Sequence, residues 1–211
     1  MRKDVKRFGR ASARPRNISF DFCLAMRLLG QDIVARTPAL AHVKFEQIAV
    51  VFAQARKRVN YGLYASLTPL RFKDGSLTTK RRGRQYTIQR MYEPGGQELL
   101  YILTFYLPRF QDLDLREKLI TIFHELWHIS PRFDGDIRRH DGRCYAHTGS
   151  QAQYDAHMGV LVDQWLAQQP PAALWSFLKL DFTELDERWG RIVGQRVPRP
   201  RLIPKQAGDK P

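Results

Sequence analysis

The sequence predicts an α+β domain, a small antiparallel sheet packed with one amphipathic helix that carries chemistry and with supporting helices. Three observations lead there. An apolar repeat at helical spacing opens the ordered part of the chain. β-prone runs bounded by turn signals follow it. Two further helical repeats fill most of the second half.

Residues 1–17 are rich in Lys, Arg, Ser and Pro and read as a basic flexible arm. Ser19 is placed to cap a helix running to about Arg36, with Phe22, Met26, Leu29 and Ile33 on one side and Pro38 as its stop. Ile48 to Phe52 is a short buried run that reads as a strand. Three strands are expected next: Tyr61 to Phe72, closing at Lys73-Asp74-Gly75; Gln85 to Tyr92, ending at Pro94-Gly95-Gly96; and Glu98 to Leu107, stopped by Pro108. They form an antiparallel meander, with Lys80-Arg81-Arg82-Gly83-Arg84 as a basic hairpin loop between the first two.

The meander leads into the central helix. Asp114-Leu115-Arg116-Glu117 reads as its capping box, Leu115, Leu119, Ile122, Phe123, Leu126 and Ile129 as its apolar face, and Pro131 as its stop. Residues 130–149 are irregular. Ser150 and Gln153 then cap a helix to about Gln168, with Tyr154, Met158, Leu161, Val162 and Trp165 on its apolar face. A shorter helix is expected from about Thr183 to Val193. Residues 18–195 make one domain, and 196–211 form an extended tail rich in Pro and basic residues.

The central helix contains His124-Glu125-Leu126-Trp127-His128, an H-E-x-x-H pattern. Residues four apart on a helix share a face, so two imidazoles spaced this way can converge on one metal ion. Glu125, next to the first histidine, sits beside such an ion without ligating it and can take a proton from an attacking water. The pattern therefore points to a zinc-dependent hydrolase, with His124 and His128 as ligands and Glu125 as general base.

A catalytic zinc needs a third protein ligand. Pro131 and Asp134 stand where one extended form of the motif requires Gly and His. No glutamate occurs between Glu125 and Glu184, which disfavours a glutamate from the following helix. His140, His147 and His157 remain, with Asp134, Asp136, Asp141 and Asp155 as carboxylate options. His140 ranks first, because Pro131 to Asp136 reads as a turn that reverses the chain after the helix. His147 is next. His157 shares the apolar face of its helix and reads as a hydrogen-bonded core histidine, and His42 as structural. Tyr145, His147 and Tyr154 are candidate donors to an oxyanion.

The chain carries a formal charge of +14 and a pI near 10.2. That balance favours a polyanionic neighbour, and nucleic acid contacted without sequence reading is the first candidate. Seven of the first sixteen residues are Lys or Arg, and the 80–84 loop adds four more. The two cysteines, Cys23 and Cys144, form no C-x-x-C pair, so neither a zinc ribbon nor a disulfide framework is expected. No secretory signal or membrane-spanning run is evident, and a cytoplasmic setting is expected. The alternative to an enzyme is a nucleic-acid-binding or interaction protein whose metal site is structural or vestigial.

The run from His124 to Pro131, followed by Phe133-Asp134-Gly135-Asp136-Ile137-Arg138-Arg139-His140, resembles the phage-type metallopeptidases and, more distantly, the SprT-like zincins. The similarity covers about residues 20 to 165. It implies a zincin-like fold, a protein or peptide substrate and a Zn²⁺ cofactor. It also implies a histidine soon after H-E-x-x-H as the closing ligand, which favours His140. Many SprT-like proteins carry a C-terminal zinc ribbon, which this chain lacks.

Overall fold

The computed structural model describes residues 19–55, 62–139 and 151–205, with the backbone alone at 151–154. Strand β1 (Phe20–Asp21) leads straight into helix α1 (Phe22–Arg36). The helix is capped by Asp21, whose carboxylate accepts from the Leu24 N–H at 2.9 Å, and not by the expected Ser19. The start is displaced because Phe20 and Asp21 are taken up in pairing with Ile192 and Val193. The expected face, Phe22, Met26, Leu29 and Ile33, is buried.

Strands β2 (Ile48–Gln54), β3 (Ala65–Pro69), β4 (Thr78–Arg81), β5 (Arg84–Ile88), β6 (Met91–Tyr92), β7 (Glu98–Leu99) and β8 (Tyr101–Leu107) follow. Helix α2 (Leu115–Trp127) comes next, then α3 (Gln151–Ala167), the single turn α4 (Ala172–Trp175) and α5 (Phe182–Trp189). Strands β9 (Ile192–Val193) and β10 (Leu202–Pro204) complete the described chain. Helix α5 has a full capping box between Asp181 and Glu184 and stops at Gly190. Among the described residues no helix is long and apolar enough to cross a membrane.

The central sheet has the order β2-β8-β3 and is mixed. Strand β3 runs antiparallel to β8, but β2 runs parallel to it, from Ile48 opposite Tyr101 to Gln54 opposite Leu107. The expected antiparallel meander is thus corrected. Strands β3 to β7 act as the crossover that a parallel pair requires. The signature of this arrangement is the unbroken run Ile48-Ala49-Val50-Val51, buried on both faces as parallel strands usually are. One face of the sheet, with Ile48, Val50, Leu103 and Phe105, joins α1, α2 and α3 in the main core. The other face, with Ala49, Val51 and Ile102, makes a smaller core with Leu70, Ile88, Met91 and Leu99.

Two further expectations change. The strand expected at 61–72 contracts to β3, and the segment 78–81 becomes β4, paired with β5 around Arg82-Gly83. Both turn residues have positive φ, 48° and 78°, the geometry of a two-residue hairpin turn for which Gly83 is suited. The expected C-terminal tail is a strand over Leu202–Pro204, antiparallel to β5.

Helix α2 is tied into the domain by a buried lysine. Lys118 Nζ donates to the carbonyls of Leu178 at 2.8 Å and Leu180 at 2.9 Å, and burial lowers its pKa to about 8. Lys118→Met preserves the aliphatic stem and removes the donor. Urea unfolding is expected to show a loss of about 1–3 kcal/mol, mainly for the orphaned Leu178 carbonyl, since the Leu180 carbonyl keeps Gln111 Nε2 at 2.7 Å. An unchanged midpoint would contradict this tether.

Candidate active site

Helix α2 begins where the capping reading placed it: Asp114 accepts from the Glu117 N–H at 2.8 Å. His124 and Glu125 lie in its last turn and His128 is its C-cap, with the His128 N–H on the His124 carbonyl at 3.2 Å. The two imidazole rings are 4.5 Å apart between centroids and nearly perpendicular. Leu119, Ile122, Phe123 and Leu126 bury the opposite side of the helix.

Glu125 faces β3. The backbone of Tyr64 and Leu70 bonds toward β8 and the adjoining strand end: Tyr106 N–H to Tyr64 O, and Leu70 N–H to Leu100 O, both 2.9 Å. Strand alternation then turns the N–H and C=O groups of Ala65 and Leu67 away from β8, onto the open edge of the sheet. The Leu67 N–H meets the Glu125 carboxylate there. Glu125 is only 8% exposed, and burial pushes its pKa up to about 7, opposed by that one backbone donor. Among the described residues no cation pairs with it.

A cavity of about 610 Å³ opens over this carboxylate. One wall is residues 62–65, held by Arg109 Nη1 on the Leu63 carbonyl at 2.9 Å. The second is the face of α2 from Glu117 to Glu125, and Asp155 of α3 closes the side. Asp155 Oδ1 lies 4.0 Å from His124 Nδ1. Tyr64 and Asp155 are the cavity residues that motif reading undervalued, since their contribution comes from packing between distant elements.

The chain reverses after α2 as expected. Ile129 and Ile137 form an antiparallel bridge, and the Arg138 N–H donates to the His128 carbonyl at 2.7 Å. Arg138 also covers the helix end, with Nε on the Trp127 carbonyl at 2.7 Å and its guanidinium 4.1 Å from the Trp127 ring centroid. Buried Tyr101 holds the turn from beneath: its hydroxyl accepts from the Gly135 N–H at 3.0 Å and donates to the Asp136 carbonyl at 2.9 Å. Gly135 has φ +82°, and a Cβ there would meet the Arg71 side chain at 2.5 Å. Only glycine satisfies both conditions.

These contacts decide several of the expected ligands. Asp136, 3% exposed, is consumed by Arg139 at 2.7 and 2.8 Å, and Asp134 accepts from Arg132 at 3.0 Å. His157 is exposed and packs edge-on against Trp127 at 4.9 Å, so it is not the core histidine expected. Half-buried His42, whose pKa burial lowers, sits beside Arg138 and the Ile129 backbone. His140, Asp141, Tyr145 and His147 lie outside the described residues, as does the Tyr154 side chain. Among the described residues no third histidine, cysteine or carboxylate completes a metal cluster with His124 and His128.

Residues 24–163, well over half of the chain, match the family described as putative phage metallopeptidase. The chain belongs to that family. No curated protein and no solved structure matches it. Membership implies a metal, and the residues of this site fit one. Two imidazoles one helical turn apart share a face, and a buried carboxylate beside them has no cationic side-chain partner among the described residues.

Asp155 stands where a carboxylate would orient a ligating His124 through Nδ1. Asp155→Ala is expected to weaken metal affinity roughly 10–100-fold in a competition titration with a chelating dye. Unaltered affinity would remove Asp155 from the site.

The turn after α2 also depends on a partly buried clamp. Glu98 accepts from Arg90 at 2.7 Å and from Arg71 at 2.5 Å, and these two guanidiniums, Arg90 foremost, hold its pKa down to about 2. The folded pKa lies below the usual carboxylate value near 4.5, so the clamp stabilises the fold above that value and is lost as pH falls toward 2. Thermal unfolding of wild type and Glu98→Gln should therefore differ at pH 6 and converge near pH 2. A gap that persists at low pH would refute the clamp.

Proposed function

We propose that this protein is a zinc-dependent peptidase of zincin-like fold in which Glu125 is the general base. The observation that carries this reading is the placement of Glu125, a desolvated carboxylate between the two motif histidines and the open edge of β3. His124 and His128 would hold the metal together with His140, and His147 is the alternative third ligand. Bound there, zinc supplies a Lewis acid that lowers the pKa of a coordinated water and polarises a carbonyl.

The chain's own groups do the rest. The Leu67 N–H fixes the orientation of the Glu125 carboxylate. Glu125 accepts a proton as water attacks the peptide carbonyl and delivers it to the leaving amine. The outward backbone groups of Ala65 offer an extended peptide a partner for strand addition beside the cavity. Pro69 has no N–H to offer, which limits such pairing to the end of β3 nearest the cavity. The open strand edge beside the cavity is what favours a protein or peptide substrate.

Glu125→Gln keeps the shape of the side chain and removes the base. Elemental analysis is expected to find zinc retained, while hydrolysis of labelled casein falls by about a hundredfold or more. Full activity in this variant would refute the assignment. His140→Ala is expected to lose zinc and His147→Ala to keep it, and the reverse pattern would transfer the third ligand to His147.

A further inference from the structure

Two basic segments far apart in the chain meet in one small sheet. The β4–β5 hairpin exposes Lys80, Arg81, Arg82 and Arg84. Strand β10 pairs with the other side of β5, Leu202 opposite Ile88 and Pro204 opposite Tyr86. The Lys205 N–H donates to the Gln85 carbonyl and the Gln89 N–H to the Arg201 carbonyl, both at 2.9 Å. This register puts Arg201 at one end of β5 and Lys205 at the other, with Arg199 just before.

Charge on this sheet is of one sign. No Asp or Glu occurs from Gly75 to Tyr92 or from Arg188 to Gly208. Among the described residues none of these seven cations forms a salt bridge, although Arg27, Arg36, Arg71, Arg116, Arg132 and Arg139 elsewhere do, and Arg90, just past β5, pairs with Glu98. Arg81 and Arg84 are direct cross-strand partners. Like charges placed opposite one another destabilise a strand pair. A hairpin that keeps this arrangement, with no acid in its own segment or in the strand beside it, lacks its counterion.

We propose that the β4–β5–β10 sheet binds the phosphate backbone of nucleic acid without reading its sequence. Charge complementarity selects the polyanion. Thr78, Thr79, Gln85, Tyr86 and Thr87, interleaved with the cations, are the polar side chains that share phosphate contacts with Lys and Arg. An anionic bilayer fits less well, because surface insertion relies on a helix with a broad aromatic and aliphatic face. The large exposed apolar residues of this sheet are Leu202 and Ile203 alone among the described residues. None of the seven cations lines the cavity over Glu125, so this surface stands or falls apart from the peptidase reading.

The test uses the full chain and fluorescence anisotropy with two labelled DNA duplexes of unrelated sequence, at low and at physiological salt. Binding to both is expected, weakening steeply as salt rises. One variant replaces Lys80, Arg81, Arg82 and Arg84 by Gln. A second replaces Arg199, Arg201 and Lys205 by Gln. Each should raise Kd by about tenfold or more and flatten the salt dependence by about one unit of slope per lost contact. A charge-keeping control, Lys80→Arg with Arg81, Arg82 and Arg84→Lys, should bind like wild type. Absence of binding at low salt, strong preference for one duplex, wild-type affinity in either Gln variant, or lost binding in the control would each overturn the proposal. So would binding to phosphatidylserine vesicles in place of DNA.

Discussion

Glu125 is held out of water against the open edge of a strand, and the placement of much else follows from that one constraint. A carboxylate in such a position resists ionisation, which is why its pKa rises to about 7. To reach it, α2 packs beside β3, with the apolar face Leu119, Ile122, Phe123 and Leu126 turned into the main core. Lys118, tied to the carbonyls beyond α3, and the cap at Asp114 fix the depth and the start of the helix. The position of His124 over the cavity is a consequence of that packing.

Past the helix, the chain is forced back along a narrow path. The Tyr101 hydroxyl grips Gly135 and Asp136 from the central strand, Asp136 holds Arg139, and Arg71 fills the space that a side chain at position 135 would need. Arg71 in turn is shared with Glu98. Polar groups are buried here in a network in which each has a partner, the condition under which such a network gives rigidity rather than cost. The reversal ends beside His128, whose carbonyl accepts from the Arg138 N–H at 2.7 Å.

Charge is distributed unevenly around this frame. Arg71, Arg132 and Arg139 near the turn and Arg27, Arg36 and Arg116 on the helices are paired with acids, whereas among the described residues the cations of the β4–β5–β10 sheet are not. A strongly basic chain thus keeps part of its excess in structured, neutralised positions and concentrates another part on one exposed sheet. Strand β10, whose flanking residues Arg201 and Lys205 carry part of this charge, is paired in register with β5.

By itself the sequence determined what local physics decides. The cap at Asp114, the apolar face of α2, the stop before Pro131, the spacing of His124 and His128 and the reversal at 131–136 were all legible, because capping, helical period and turn chemistry act within a few residues. The resemblance to the family was legible for the same reason, since the motif that carries it is that contiguous run, although the match itself spans residues 24–163. Only the tertiary structure decided the parallel pairing of β2 with β8, the recruitment of Leu202–Pro204 into a sheet, the commitment of Asp136 to Arg139, and the contact of Glu125 with Leu67. Each of these joins residues distant in the chain, where burial and unsatisfied hydrogen-bonding groups choose among partners that local preference leaves equal. His157 shows the limit most directly: its spacing placed it with the core residues of α3, but the rotation of that helix against α2 turned it outward onto Trp127.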